Sequence, residues 1–404
     1  MNLPAKCSPA LSAFSIIARG FETSPRLFPL PKRDFPIKPS ALLLLALLCA
    51  GPAARGAGDV ARYQASHNAM GTVFTVVAYG ADGRELAEVV NEVFEEIDRV
   101  DAQMSNYKPQ SELSAINRNA AAEQVLVEPQ LFRLLEDSLR YGEETGGAFD
   151  ITVGPLMRAW GFFRGQGRLP AKSEIGSALE KVGYQHVHLN AAAHTIRFDT
   201  PAIEIDLGGI AKGYAVDRAV EILRSYGVTQ ALVSSGTSTI YALGAPPDDR
   251  AWRITIRDPY DAEKAGDVVF LKNFALSVSG NYEKFFELDG KIYSHILNPL
   301  SGRPVENMLS TAVLAPRATQ ADALSTAMFV LGVEGSRRYL SGHPNLAAVF
   351  YQPAGSTKAF KRTITRSLSF HLPADSLAEI EGDGENAGAK AESAPVLAGL
   401  DLAL

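Results

Sequence analysis

Apolar positions in this chain follow two rhythms, one of period two and one of three to four residues. Val73 to Tyr79, closed by Gly80, is a β-rich run that predicts a strand. Leu86, Val89, Val90, Val93, Phe94, Ile97 and Val100 then mark one face of an amphipathic helix. After a polar loop Pro129 opens a second helix, with Leu131, Leu134, Leu135, Ser138 and Leu139 inward, that ends at Gly146-Gly147. Short strands are predicted around Val187 and Ile196 and over residues 202–205. A helix over residues 215–226 stops before Gly227. Beyond it come strands over 231–234, 252–256, 268–271, 275–279, 291–296 and 309–314, a helix over 320–331 and a last strand over 346–351. Runs of consecutive strands broken by helices predict an α+β fold, with antiparallel sheets packed with helices rather than a regular βαβ array.

The two ends fall outside this patterning. Six basic residues against two acidic ones precede Leu42, then an apolar run over 41–50 and small residues through Gly58. That is the layout of a secretory leader, so residues 1–58 are read as an export signal and the protein as periplasmic, or anchored in the inner membrane facing the periplasm. The apolar run is too short to span a bilayer as a permanent helix. Cys49 is a candidate for lipid attachment and thus for membrane association, with Leu48 standing where such sites want a small residue. Cys7 and Cys49 are the only cysteines and both fall in the leader, so the mature body is expected to hold no disulfide. Residues 372–404 carry seven acidic residues and one lysine among alanines and glycines, the composition of a disordered tail. Residues 59–371 are left as the folded body. A net charge of −6 argues against a nucleic-acid partner.

Candidate chemistry gathers in three places. Residues 206–217 read Asp-Leu-Gly-Gly-Ile-Ala-Lys-Gly-Tyr-Ala-Val-Asp and fall where a strand is predicted to turn into a helix. Gly208 and Gly209 there would let an anion approach bare N–H groups at a helix start. Lys212 adds a positive charge, and Asp206 a carboxylate able to hold a ribose, a ring or a metal. Asp322, Ser325 and Thr326 share one face of the late helix and form a hard-oxygen set of the kind Mg²⁺ accepts. The same triplet also suits a polar groove beside a helix start. His295, at the end of a strand entering a Pro/Gly turn, is able to serve as acid or base. Gly147 to Phe162 brings aromatics, glycines and one carboxylate that suit a planar ring or a packed seam.

In order and wording, five motifs together resemble the ApbE-like FAD:protein FMN transferases. They are Met70-Gly71-Thr72; Ser105-Asn106-Tyr107 with Ser111-Glu112-Leu113; Gly147 to Phe162; Asp206 to Asp217; and His295 to Pro304 followed by Ala321 to Leu331. The resemblance implies an FAD cleft between two sub-lobes of one body. It implies that FAD, the substrate, is held by Met70, Tyr107, Ala148, Phe149, Asp150, Asp206, Lys212 and Ile296. It assigns Mg²⁺ to Asp322, Thr326, the Ser325 position and a backbone carbonyl at Gly209. His295 becomes the group that activates the acceptor. The reaction implied is Mg²⁺-dependent attack by a threonine or serine hydroxyl of a partner protein on the FMN-side phosphorus, with AMP leaving. The same residues would serve an FAD pyrophosphatase that uses water, and a non-catalytic FAD-binding protein is a third reading; intact Asp322, Thr326 and His295 weigh against the last. In two places the chain departs from the usual family pattern. Ser235-Gly236-Thr237-Ser238-Thr239 replaces a glycine pair, and Ser277-Val278-Ser279-Gly280 has a valine in place of one hydroxyl.

Overall fold

Why so many strands here read as almost continuously apolar becomes clear from what covers them. The computed structural model describes residues 60–165, 167–355, 358–366 and 375–381. The predicted leader, Cys49 and most of the predicted tail lie outside the described residues. Eight strands, β1 (Ala61–Ala69), β2 (Thr72–Gly80), β3 (Gln230–Ser235), β4 (Thr239–Leu243), β5 (Phe274–Gly280), β6 (Ser310–Ala315), β7 (Ala347–Pro353) and β8 (Phe360–Arg366), form one sheet. Each pairs antiparallel with the next in chain order, from β1 at one edge to β8 at the other. The helices are α1 (Gly83–Met104), α2 (Glu112–Asn119), α3 (Pro129–Glu144), α4 (Gly154–Ala159), α5 (Lys172–Leu179), α6 (Ala211–Ser225) and α7 (Ala318–Ser341).

Successive side chains of a strand point to opposite faces, and here both faces are buried. Phe74, Val76 and Ala78 of β2 join a core shared with α1, α3, α6 and α7. Val77 between them joins a second core, roofed by a three-stranded sheet of Trp252–Asp258, Asp261–Lys272 and Leu377–Ile380. A third cluster of Leu156, Trp160, Ile175, Ala178, Phe286 and Leu297 fastens α4 and α5 to the two hairpins inserted between β5 and β6. The Trp160 indole N–H donates to the Gly302 carbonyl across that seam at 2.8 Å. Among the described residues no helix is long and apolar enough to cross a membrane.

The α+β expectation holds, and several elements differ in detail. Residues 202–205 form no strand of their own; Glu204 makes only an isolated parallel bridge to Val153. The following helix starts at Ala211 rather than 215, so Lys212 and Gly213 sit in its first turn. The late helix runs on to Ser341, bending at Gly332 (φ 66°), the glycine that ended the apolar pattern. The predicted strand over 291–296 stops at Ser294, and Ile296 lies outside it. Short α2 and α5, strand β4 and edge strand β8 were not anticipated. Nor was Leu377–Ile380, which lies within the predicted tail and pairs with Asp261–Lys272, with Ile380 buried in the second core.

Candidate functional site

Two helix starts are locked together. The first N–H groups of an α-helix have no partner within the helix. In the first turn of α6, the Gly213 amide donates to Asp322 Oδ2 on α7 at 2.8 Å. In return Asp217 of α6 accepts from the Ala318 and Thr319 amides and the Thr319 hydroxyl, which caps α7. The backbones approach so closely that a Cβ on Gly213 would lie 2.3 Å from the Ala318 carbonyl oxygen. This fixes Asp322, 2% exposed, against the first turn of α6.

Around Asp322 the hydroxyls of Ser277, Ser279, Ser325 and Thr326 form one hydrogen-bonded group. Ser325 is fully buried; it donates to the Asp322 carbonyl oxygen at 2.9 Å and shares a 2.8 Å hydrogen bond with Ser279 of β5. Its hydroxyl is thereby tied to the sheet. Thr326, half-buried, shares a longer 3.3 Å hydrogen bond with the same Ser279 and also stands toward the glycine turn: a Cβ on Gly209 would lie 3.4 Å from its Oγ1 and 3.3 Å from the Phe149 ring. Ser277 reaches the other carboxylate oxygen of Asp322, Oδ1, at 3.4 Å. Ser277 and Ser279 were noted only as part of a departing motif. The strand rhythm turns both toward α7 and sends Val278 into the opposite core, so the missing hydroxyl lies on the far face of the sheet.

On the near side, Asp206 accepts from the Gly208 amide at 2.8 Å and from the Asn106 side chain at 3.1 Å. Lys212 turns its ammonium to the Gly208 carbonyl at 3.0 Å. Tyr107, next to Asn106, is exposed and stacks on Phe163 with centroids 4.7 Å apart, and Arg158 lies over the other ring at 3.8 Å. A cavity of about 840 Å³ opens beside Tyr107, Phe163, Arg158 and Glu204. Of the residues assigned to FAD or Mg²⁺ it touches Tyr107 alone, with Asn106, Pro155, Arg158 and Ala159 from the same motifs, and neither Gly208 nor Gly209 lines it.

Met70 occupies the two-residue turn of the β1–β2 hairpin with a positive φ of 52°, a conformation costly for a side chain of its type, and packs against the first core. Ala148 and Phe149 are buried. The Asp150 carboxylate is taken up by the Thr152 amide and hydroxyl and the Tyr184 amide, at 2.6–2.8 Å, so it shapes the turn that presents Phe149. Ile296 is buried one residue beyond His295.

His295 is half-buried, and its Nδ1 lies 2.9 Å from the Lys284 carbonyl. A carbonyl only accepts, so Nδ1 carries the proton and Nε2 keeps a free lone pair. Desolvation, with the Lys284 and Lys212 charges, holds the imidazole well below its usual pKa, so the ring is neutral at neutral pH. Glu283 escaped the sequence reading. Burial, opposed by the Lys212 charge and assisted by Asp322, raises its carboxyl to about 7. Its signal in the sequence was only its place between Ser279 and His295.

Set beside known proteins, the chain matches a model of the ApbE family over residues 70–350. It is 33% identical over 342 residues to an FAD:protein FMN transferase of Treponema pallidum, covering 80% of this chain and 94% of that protein. To its counterpart from Salmonella typhimurium it is 34% identical, over 66% of this chain and 77% of that protein. In structure it is similar to the ApbE protein of Thermotoga maritima, with a TM-score of 0.68 at 31% identity, covering 77% of this chain and 98% of that one. A flavin transferase ApbE from Vibrio cholerae gives 0.67 at 29% identity, with the same coverage of both chains.

Proposed function

This chain belongs to the ApbE family, and on that premise we propose that it is an FAD:protein FMN transferase. In this reading it moves FMN from FAD onto a threonine or serine hydroxyl of an acceptor protein, releases AMP and requires Mg²⁺. The observation that carries the reading is the meeting of Gly209 with Thr326, one helical turn from Asp322.

That oxygen set suits a hard divalent cation: one carboxylate, one outward hydroxyl and a glycine turn whose bare backbone leaves room for it. Asp322, Thr326 and the Gly209 turn would hold Mg²⁺, which when bound neutralises charge on the FAD diphosphate. Ser325 supports from behind, through Ser279. Lys212, in the first turn of α6, adds positive charge where the helix dipole already favours an anion. Tyr107 and Phe163 offer a stacked aromatic wall for the flavin, and Phe149 backs the glycine turn. The neutral His295 accepts the acceptor's hydroxyl proton at Nε2. The oxygen then bonds to the FMN-side phosphorus as the diphosphate P–O bond breaks, and AMP leaves with the electron pair. Such a transfer depends on positioning and charge neutralisation more than on covalent help from the enzyme. Residues 1–58, read as an export signal, assign the reaction and its acceptor to the periplasmic side of the membrane.

The test is incubation with FAD, Mg²⁺ and a flavin-acceptor domain carrying a reactive threonine. Fluorescent acceptor with matching AMP is the expected result. FMN and AMP without labelled acceptor would replace transfer by hydrolysis, and unchanged FAD would leave a binding protein.

A further inference from the structure

Between Ser279 and His295 the chain carries a carboxylate that the proposed reaction leaves unused. Glu283 lies four residues past the hydroxyl that bonds Ser325 and one before the carbonyl that orients His295. Its Oε1 is sealed from solvent and has no hydrogen-bond partner. The charges acting on Glu283 are those of Lys212, Asp322 and Lys284. Lys212 does not relieve the orphaned oxygen, because its ammonium is turned to the Gly208 carbonyl. A buried carboxylate oxygen without a donor is costly, and a second carboxylate in its field adds repulsion. A hard cation relieves both at once, since it binds oxygen atoms and cancels the shared negative charge.

We propose that Glu283 is a further carboxylate of the divalent-cation pocket, sharing with Asp322 the charge of the bound ion. This rests on reading Asp322 and Thr326 as that ion's ligands. Glu283 then has no part in binding flavin or in accepting a proton. It sets how tightly the pocket holds its cation; the chain reaches it three residues after the serine-bearing strand β5 ends at Gly280.

The experiment titrates the metal-free full-length protein with Mn²⁺ alone and reads free Mn²⁺ by electron paramagnetic resonance. Glu283→Gln keeps the shape and removes the charge; its affinity is expected to fall about 10- to 100-fold. Its metal-free melting temperature should be no lower than that of the wild type. Glu283→Ala carries the same expectation for Mn²⁺ and serves in its place should the glutamine variant not fold. Wild-type affinity in the Glu283 variants, with binding lost in Asp322→Asn, would overturn the role of Glu283 and leave the pocket standing. Wild-type affinity in Asp322→Asn as well would overturn the pocket itself.

Discussion

Asp322 Oδ2 accepts a 2.8 Å hydrogen bond from the backbone amide of Gly213, joining the start of α6 to that of α7. One side chain therefore has two jobs in this account: it caps a helix, and it is the proposed carboxylate ligand of the cation. Asparagine separates them, because its carbonyl still accepts from Gly213 while its charge is gone. Asp322→Asn is expected to lower Mg²⁺-dependent turnover at least about 100-fold, on the scale at which metal sites respond to lost partners. Unfolding free energy should change by only about 1 kcal/mol, the size of one hydrogen bond. Turnover and the urea midpoint, measured on one preparation, distinguish the two jobs.

Gly213→Ala tests the packing of α6 against α7 and, with it, the seat of Asp322. The new methyl would meet backbone, the Ala318 carbonyl oxygen at 2.3 Å and that residue's carbonyl carbon at 2.7 Å, so the helices must part. A loss of about 1–3 kcal/mol in urea unfolding is expected, as for overpacked cores. Because Asp322 moves with α7, a weaker response to Mg²⁺ should accompany it.

His295→Asn removes the free Nε2. Expected is a fall of about 10²–10⁴-fold in kcat, with little change in KM for FAD, as for a lost general base. The imidazole sits well below its ordinary pKa, so activity should show no His295 inflection near pH 6.5. The sign for stability follows from proton uptake. With its folded pKa depressed, the unfolded chain binds the extra proton as pH drops through about 6.5, and the folded state loses stability from there down toward the folded pKa. Between pH 7 and pH 4 the asparagine variant should therefore lose less stability than the wild type, as read by melting temperature against pH.

Tyr107→Ala would strip one ring from the Tyr107–Phe163 stack. A stacked aromatic pair is worth about 0.5–1.5 kcal/mol beyond its buried area, so KM for FAD should rise by roughly that amount in free energy. Tyr107→Phe retains the stack and should bind FAD like the wild type. Fluorescence titration with FAD reads both.

Long amphipathic segments were legible in the sequence because a single face of each meets the core: α1 was placed by its apolar stripe, and α3 by its stripe together with Pro129 and the Gly146-Gly147 stop. Strand β4 was missed although β5 and β6, equally buried on both faces, were placed: Thr239–Leu243 is only five residues long and begins inside the Ser235–Thr239 run of hydroxyls and glycine, which reads as a turn. Strand β8 and Leu377–Ile380 were missed for a different reason. They are edge segments mixing polar and apolar residues, and they take their structure from a neighbouring strand. At the candidate site, the i, i+4 spacing brought Asp322 and Thr326 onto one face. It gave no means of telling that Ser325, at i+3, and Thr326 both bond Ser279 of the sheet, Ser325 at the shorter distance. Nor did it indicate that Asp150 is consumed by its own turn, since both facts depend on partners distant in sequence or hidden in local backbone geometry. Glu283 was invisible for the same reason: what singles it out is an oxygen left without a donor.

The central claim is that a divalent cation and the FAD diphosphate meet between the Gly208–Gly209 turn and the start of α7. Crystals soaked with FAD and Mn²⁺, with data collected at the manganese absorption edge, test it most directly. The account predicts one anomalous peak bonded to Asp322 and Thr326, beside Gly209, with diphosphate oxygens completing its shell. A manganese peak remote from Thr326, or a diphosphate lying on the opposite side of the molecule from Gly209, would contradict it.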